Sequence, residues 1–585
     1  MTATRKEAAA GARGEQPFDL AVLNVQLVNV FTAEIYAADI GIVGERFAYV
    51  ERAGANPLQA RRVIDGSGLW AAPGFIDGHV HNESSMCTPA RYAEVILPLG
   101  TTTVCTDPHE IGNVLGMRGV RYMLDASQGL PLRYFVTVPS CVPAVPNVET
   151  AGATFTSREV TEMLQWERVV AIAEAMDFVG LANQVGNITP IVQVGQEVGV
   201  PIEGHAPFVT GRFLQAYLAA AGPRASDHES LSADNMLEKV RMGMMVYARV
   251  SSFLDITPEL VQAIHRVPDS RMFGFCTDDI HPNQLVQLGH LNFGMRRLIE
   301  AGVDPIKVYQ MATLNVAQHY GLWGLGGIAP GWLADLVILD DLKGVRVRHV
   351  ITGGDLRVED GSLIAPIAEP VPPLLENTMR LPAGLDVADF TPKADGTGAI
   401  KVNAINLANL VDTRLDVIEL AAKDGSITFP LPDGVALAAV VGRHAQGRPP
   451  SLAFVTNFPI QAGAIASTVS HDSHNLVIIG KTPTDLFQAA ETLQQGGGGL
   501  AAVKDGKLLA SVPLPIAGLL SPLPVPEIAQ QVEAYEAVMP ELGLPPIFPI
   551  MLLVLALPVI PTVRLTDIGM VDIFTQQFVP MLATG

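Results

Sequence analysis

From Pro73 onward the chain repeats one unit: a short apolar, β-branched run that ends in a polar residue, then a stretch with helical periodicity. Such runs end at His79/His81, Asp107, Ser140, Glu174, His205, His228, Arg249 and Asp278, spaced by about 20–35 residues. Strands that alternate with helices demand a parallel sheet, because only a crossover long enough to hold a helix returns the chain in the same direction. Eight such units over roughly 250 residues fit a (β/α)8 barrel. The helical stretches carry their own start signals; Thr88-Pro-Ala-Arg-Tyr-Ala-Glu opens with an N-cap threonine and an N1 proline. The expected fold class is α/β, a TIM-like (β/α)8 barrel over residues 73–324.

A chain of 585 residues exceeds what one core can bury, so further domains are expected around the barrel. Residues 1–17, rich in Ala, Gly and charge, read as a flexible leader. Residues 18–72 alternate short β-like runs with turns, and Ile328–Asp340 returns to that character after the barrel. Residues 18–72 and 325–365 are therefore expected to form one small, discontinuous, β-sandwich-like domain. A link containing Pro366, Pro370, Pro372 and Pro373 leads to a C-terminal α+β domain at 385–585, with a turn at Gly496–Gly499. The apolar segment Ile547–Ile560 is shorter than a bilayer span of ~20 residues and is interrupted by Pro549 and Pro558. It reads as a buried element, not an anchor. A net charge of −21 argues against binding nucleic acid through its phosphates but not against a small neutral base. Four scattered cysteines, Cys87, Cys105, Cys141 and Cys276, suit free thiols in a reducing cytoplasm.

His79 and His81 sit two apart at a strand end, so their imidazoles share a face and can grip one divalent ion. The other strand ends add His205, His228, Glu174 and Asp278, enough for two ions if one carboxylate bridges them. Imidazole and carboxylate suit Zn, Fe(II) or Mn(II). Lys239 is the only lysine between Pro73 and Glu300, and it lies in a helical stretch, so a carbamylated lysine on the fourth strand is ruled out and Glu174 is the natural bridge. Coordination lowers the pKa of bound water toward 7, and Asp278 is placed to accept its proton. Asp279 competes with Asp278 for that role, or else orients His281 or caps the next helix. Asp177 is either a partner of the site or a loop residue. In Thr106-Asp-Pro-His-Glu110, Asp107 and His109 either cap a helix or serve substrate contact and proton transfer. Asp227 and Glu229 flank His228 and are expected to hydrogen-bond the ligand imidazoles. His265, His290 and His319 read as structural. His471-Asp-Ser-His474-Asn475 is either a loop reaching the barrel mouth or an ordinary polar turn.

Several stretches resemble the adenine deaminase family of the amidohydrolase superfamily. They are Pro73-Gly-Phe-Ile-Asp-Gly-His-Val-His-Asn-Glu-Ser-Ser, Asp107-Pro-His-Glu, Glu174-Ala-Met-Asp, Gly204-His-Ala-Pro, Ser226-Asp-His-Glu and Cys276-Thr-Asp-Asp, then Ala464 to Asn475 and Leu514-Pro-Ile-Ala-Gly-Leu. The His-x-His and Ala329-Pro-Gly pieces belong to the whole superfamily; Asp-Pro-His-Glu, the fourth-strand glutamate and His-Asp-Ser-His-Asn are more specific. The resemblance implies a binuclear centre of Mn(II) or Fe(II), with metal roles for His79, His81, Glu174, His205, His228 and Asp278. It implies hydrolysis of adenine to hypoxanthine and ammonia in purine salvage, by attack of a metal-bound hydroxide at C6, in a dimer. Glu83, Asp107 or His109 would protonate ring N1, and His471 and His474 of the C-terminal, adenine-deaminase-type domain are candidates for substrate contact. The chain departs from the family pattern at Gly78, Asn82 and Phe208-Val-Thr, and the last is expected to alter the pocket edge. The cytidine-type zinc deaminase signature is absent. The alternatives are another binuclear amidohydrolase acting on a different purine, aromatic amine or cyclic amide, and a catalytically silent barrel acting as a binding protein.

Overall fold

Eight parallel strands form where the polar-ended runs predict them. In the computed structural model, which describes residues 5–250, 255–407, 413–546, 552, 555–560 and 562–583, β1 (Phe75–Val80), β2 (Thr101–Thr106), β3 (Arg133–Val138), β4 (Val169–Ala175) and β5 (Ile202–Gly204) pair in sequence. The strands β6 (Ser226–Asp227), β7 (Met245–Arg249) and β8 (Phe273–Cys276) form a second parallel sheet. Parallel bridges at Ile202↔Ala225 and Val80↔Asp278 join the two sheets at both edges and close the ring. Every residue of β1, β2 and β8 is buried, as strands covered by helices outside and packed side chains inside must be. Helices fill the connections; that at Pro89–Ile96 has Thr88 as its N-cap, with Oγ1 accepting from the Arg91 amide.

The family departure at Gly78 has a local cause. A Cβ there would lie 2.5 Å from Cε1 of Tyr247, whose ring fills the barrel interior beside Ile76, Cys105 and Cys276. Only glycine leaves room for that tyrosine.

Strands from both sides of the barrel sequence meet in one nine-stranded sheet. Trp70–Pro73 pairs antiparallel with Leu336–Asp341, which stitches the two segments together. The two segments join one hydrogen-bonded sheet, in which the long first strand, Phe18–Asn29, serves several partners, and they enclose a core of their own that includes Val22, Ile40 and Leu336. A register shift between Val22 and Val25 lets its first half pair with Ala60–Asp65 and its second half with Trp70–Ala71. The leader differs from expectation. Arg5–Ala12 is a helix, with Ala8 buried against the cluster of Phe18, Val43 and Ala48. Its small residues allow this: a Cβ on Gly11 would come within 2.7 Å of Val43 Cγ2.

A second nine-stranded sheet spans Gly398 to Pro513, with the helix Pro483–Gly496 on one face. The glycine turn that follows is obligatory: Gly499 has φ +121°, and a Cβ there would meet the Val512 carbonyl at 1.9 Å. Of the apolar segment 547–560, residues 547–551, 553 and 554 lie outside the described residues, while Leu552, Leu555, Ala556 and Leu557 are buried. No described helix is long and apolar enough to cross a membrane.

Candidate metal centre

The C-terminal ends of β1, β4, β5, β6 and β8 bring six donor side chains to one point, the face on which such barrels carry their chemistry. His79 Nε2 lies 3.2 Å from His81 Nε2. Asp278 Oδ1 lies 3.5 Å from the first and 3.2 Å from the second. Glu174 divides its oxygens: Oε1 is 3.3 Å from His81 Nε2, while Oε2 is 3.2 Å from His205 Nδ1 and 3.4 Å from His228 Nε2. Burial alone would raise the Glu174 carboxyl, but the imidazoles of His205, His228 and His81 hold it well below the usual range. Asp278 behaves alike: burial is outweighed by His228, His79, His81 and Arg249.

These donors fit a cation. Ligand bonds of ~2.0–2.1 Å place tetrahedral donor atoms about 3.3–3.4 Å apart, the spacing seen around His79, His81, Asp278 and Glu174. The histidine tautomer at His81 also agrees. Its Nδ1 faces the Asp107 carbonyl oxygen at 3.1 Å, so Nδ1–H donates there and Nε2 is left with its lone pair toward the cluster. The backbone locks the aspartate in place: the Asp278 amide donates to the His79 carbonyl at 2.9 Å, and the His81 amide donates to the Asp278 carbonyl at 3.1 Å. Asp278 pays for this position with a left-handed φ of +56°.

The other predicted residues divide. Asp107 Oδ2 sits 3.1 Å from His109 Nδ1, and its Oδ1 accepts from the His109 amide, so those two side chains hold one another. Glu83 is fully buried; Oε1 accepts from the Ile111 amide, Oε2 has no partner among the described residues, and burial and the charge of Glu110 push its carboxyl up to about 8. Glu229 lies 3.6 Å from His228 Nε2 and bonds Arg249. Asp227 does not reach an imidazole. It is turned by the buried Lys239, whose Nζ donates to Asp227 Oδ2 at 2.9 Å, to the Ala206 carbonyl at 2.8 Å and to Ser230 Oγ at 3.0 Å. Asp279 also stays apart, accepting from Ser84 Oγ instead of joining the donors. Asp177 caps the helix Phe178–Asn183 by accepting from the Gly180 amide, as its loop reading requires. Phe208 is 73% exposed, with a left-handed φ of +58°.

The segment from Thr468 to Asn475 does reach the barrel mouth. Asn475 Nδ2 donates to the Thr150 carbonyl at 2.8 Å, and His471 Nδ1 lies 3.4 Å from Glu110 Oε1. His474, expected to serve the substrate, faces into its own loop, where Nδ1 accepts from the Ser470 amide. Burial drives it well below the usual imidazole range, so it is neutral. Arg443, fully buried, fastens this loop from behind by donating to the carbonyls of His474 and Ala517. Sequence reasoning missed Arg249, Glu110, Lys239 and Arg443. Arg249 ends a predicted strand and Glu110 stands in the Asp-Pro-His-Glu motif, so both were within reach; the last two depend on tertiary closure and left no local signal.

The amidohydrolase family model matches residues 70–357, and the adenine deaminase C-terminal domain model matches residues 411–577. An adenine deaminase from Desulfatibacillum aliphaticivorans is 38% identical, over 98% of this chain and 98% of its own length. One from Moorella thermoacetica is 40% identical, over 98% of this chain and 97% of its own. Among solved structures, a beta-aspartyl dipeptidase from Fervidobacterium islandicum AW-1 is 15% identical, with a TM-score of 0.45 over 60% of this chain and 98% of that one. The likeness to the two deaminases runs almost end to end, and the chain belongs to the adenine deaminase family of amidohydrolases.

Proposed function

We propose that this chain hydrolyses adenine to hypoxanthine and ammonia in purine salvage, as a metal-dependent cytoplasmic hydrolase. The observation that carries the chemistry is the division of Glu174: one oxygen faces His81, the other faces His205 and His228. On this reading His79, His81 and Asp278 would hold one divalent ion and His205 and His228 a second, with Glu174 serving both, and Mn(II) or Fe(II) would be the preferred pair. When bound, the cations supply an acidified water as nucleophile and offset the charge that develops during attack. The substrate follows from the end-to-end likeness to proteins named adenine deaminase.

The protein's own groups then move the protons. Asp278 accepts a proton from the attacking water. Glu83 donates to ring N1 as C6 becomes tetrahedral; Asp107 and His109 are occupied with each other, whereas Glu83 has a free oxygen. Asp278 returns its proton to the amino group, which leaves as ammonia, and the C6 hydroxyl proton restores the Glu83 acid as the carbonyl forms. Arg249, donating to Asp278 Oδ2 at 2.9 Å, keeps the carboxylate turned toward the cluster.

The test is turnover. Chelated protein reloaded with Mn(II) or Fe(II) should release ammonia and hypoxanthine from adenine, and should prefer adenine by kcat/KM over other purines, aromatic amines and cyclic amides. Reloaded protein that leaves adenine intact would overturn the proposal. Glu174→Gln should fail to hold two ions per chain; two tightly held ions in that variant would refute the bridge.

A further inference from the structure

Beside the centre lies a second constellation that the proposed reaction does not use. A ring nitrogen of His109, a carboxylate oxygen of Asp472 and Cys141 Sγ all lie within 4.8 Å of one another, and His109 Nε2 is 3.8 Å from Asp472 Oδ1. All three residues are at most 3% exposed. They come from three places: His109 follows β2, Cys141 follows β3, and Asp472 lies on the loop that enters from the C-terminal sheet.

The hydrogen bonding around them is incomplete in a directed way. Asp107 takes up the His109 Nδ1 side at 3.1 Å, so Nε2 is the ring nitrogen left toward Asp472, at 3.8 Å. Asp472 Oδ2 has no hydrogen-bond partner among the described residues, while the His109 ring meets the Cys141 thiol. A buried polar atom without a partner is costly, so the Asp472 oxygen beside that thiol marks a place built for something else. A carboxylate on the far nitrogen of an imidazole is also how proteins orient a histidine that ligates a metal. Thiolate, imidazole and carboxylate with one open position describe a four-coordinate zinc-type site. The sulfur sets this triad apart from the neighbouring centre, which offers only nitrogen and oxygen and suits harder ions.

We propose that Cys141, His109 and Asp472 form a further cation site that takes a thiophilic divalent ion such as Zn(II) and clips the C-terminal sheet to the barrel mouth. The site goes beyond the proposed deamination and does not depend on it. Ligation displaces the Cys141 thiol proton and orders the loop that carries His471.

Cobalt tests it. The full-length protein, stripped by chelation and titrated with Co(II), should develop a near-ultraviolet thiolate-to-cobalt charge-transfer absorption. Imidazoles and carboxylates give none, so the centre at Glu174 is silent in this readout. Zn(II) should compete the absorption away. Cys141→Ser and Asp472→Asn should each bind one equivalent less than the parent, and Cys141→Ser should show no absorption. Cobalt-loaded parent without the absorption would overturn the proposal, whatever its stoichiometry, and would leave Cys141 as a thiol hydrogen-bonded to His109. Equal metal content in parent and both variants would overturn it as well. Neither result touches the centre, whose failure would show as lost turnover.

Discussion

At the scale of single residues, Lys239 shows how far a side chain can act from the chemistry it serves. Its ammonium is fully buried and bonded to the carbonyl of Ala206 and the carboxylate of Asp227, the residues next to His205 and His228. One cation therefore fixes the backbone beside two imidazoles on adjacent strands. Burial would raise the Asp227 carboxyl, yet Lys239 and Ser230 hold it below its usual range. Removing one member of a buried pair leaves the other charge uncompensated, at ~3–5 kcal/mol. Lys239→Met should lose stability on that scale and, because two ligand imidazoles drift, bind metal ~10–100-fold more weakly. Adding Asp227→Asn should restore much of the stability and little of the affinity. Denaturant unfolding and metal titration of both variants check this; a single variant with parental affinity would sink the positioning role. The exclusion of a carbamylated lysine left Lys239 looking like a bystander, since a helix position says nothing about which strand ends its tip will reach.

At the scale of elements, what was legible in the sequence is what local pattern controls. Each barrel strand announced itself by an apolar run, and each donor by standing at the end of one. Strand ends face the same way around a closed ring, so convergence of His79, Glu174, His205, His228 and Asp278 followed from spacing alone. The leader helix was not legible, because Ala8 and Gly11 pack by being small and carry no apolar stripe. Nor was the loop at His471 resolvable between a polar turn and a site element, since its anchors, Thr150 and Arg443, lie hundreds or tens of residues away. Caps are the most local signal of all and allow a sharp test. The helix Ser157–Met163 begins with a capping box in which Glu159 accepts from the amide and hydroxyl of Thr156. These bonds, those to Thr156 first, hold the Glu159 carboxyl down at about 2 against an ordinary 4.5. A depressed carboxyl stabilises the fold above its unfolded pKa and loses that contribution as pH falls through the folded one. Because this cap lies at the protein surface, the effect is limited to ~1 kcal/mol. Glu159→Ala should thus be less stable than the parent at pH 6, and the gap should close between pH 4.5 and pH 2. Paired thermal melts across that window decide it; a gap that persists at pH 2 would show that the carboxylate's charge is irrelevant.

At the scale of the whole molecule, the central question is whether the barrel and the C-terminal sheet stand or fall together. The strand Val435–Val441 answers it. All seven of its residues are buried, and they alternate: Ala436, Ala438 and Val440 face one hydrophobic cluster, while Leu437, Ala439 and Val441 face another. The first cluster is continuous with the barrel, since it also contains Val80, Val104, Ile202 and Phe273. The second is closed by the helix Pro483–Gly496 through Leu486, Ala489 and Leu493. One face of the C-terminal sheet is therefore part of the same hydrophobic core as the barrel, and the two regions share a buried apolar boundary. This couples metal binding to the stability of the entire chain. A ligand that binds only the folded state stabilises it by RT ln(1 + [L]/Kd), about 4 kcal/mol at a thousandfold excess over Kd. Chelation should therefore lower the melting temperature of the whole protein as one transition, restored by Mn(II), and should not peel a weakened barrel away from an unchanged C-terminal unit. Calorimetry with and without chelator distinguishes the two. A thermogram in which one peak moves and a second stays fixed would mean that the shared core does not transmit the loss. The seven-residue strand would then divide the molecule instead of joining it.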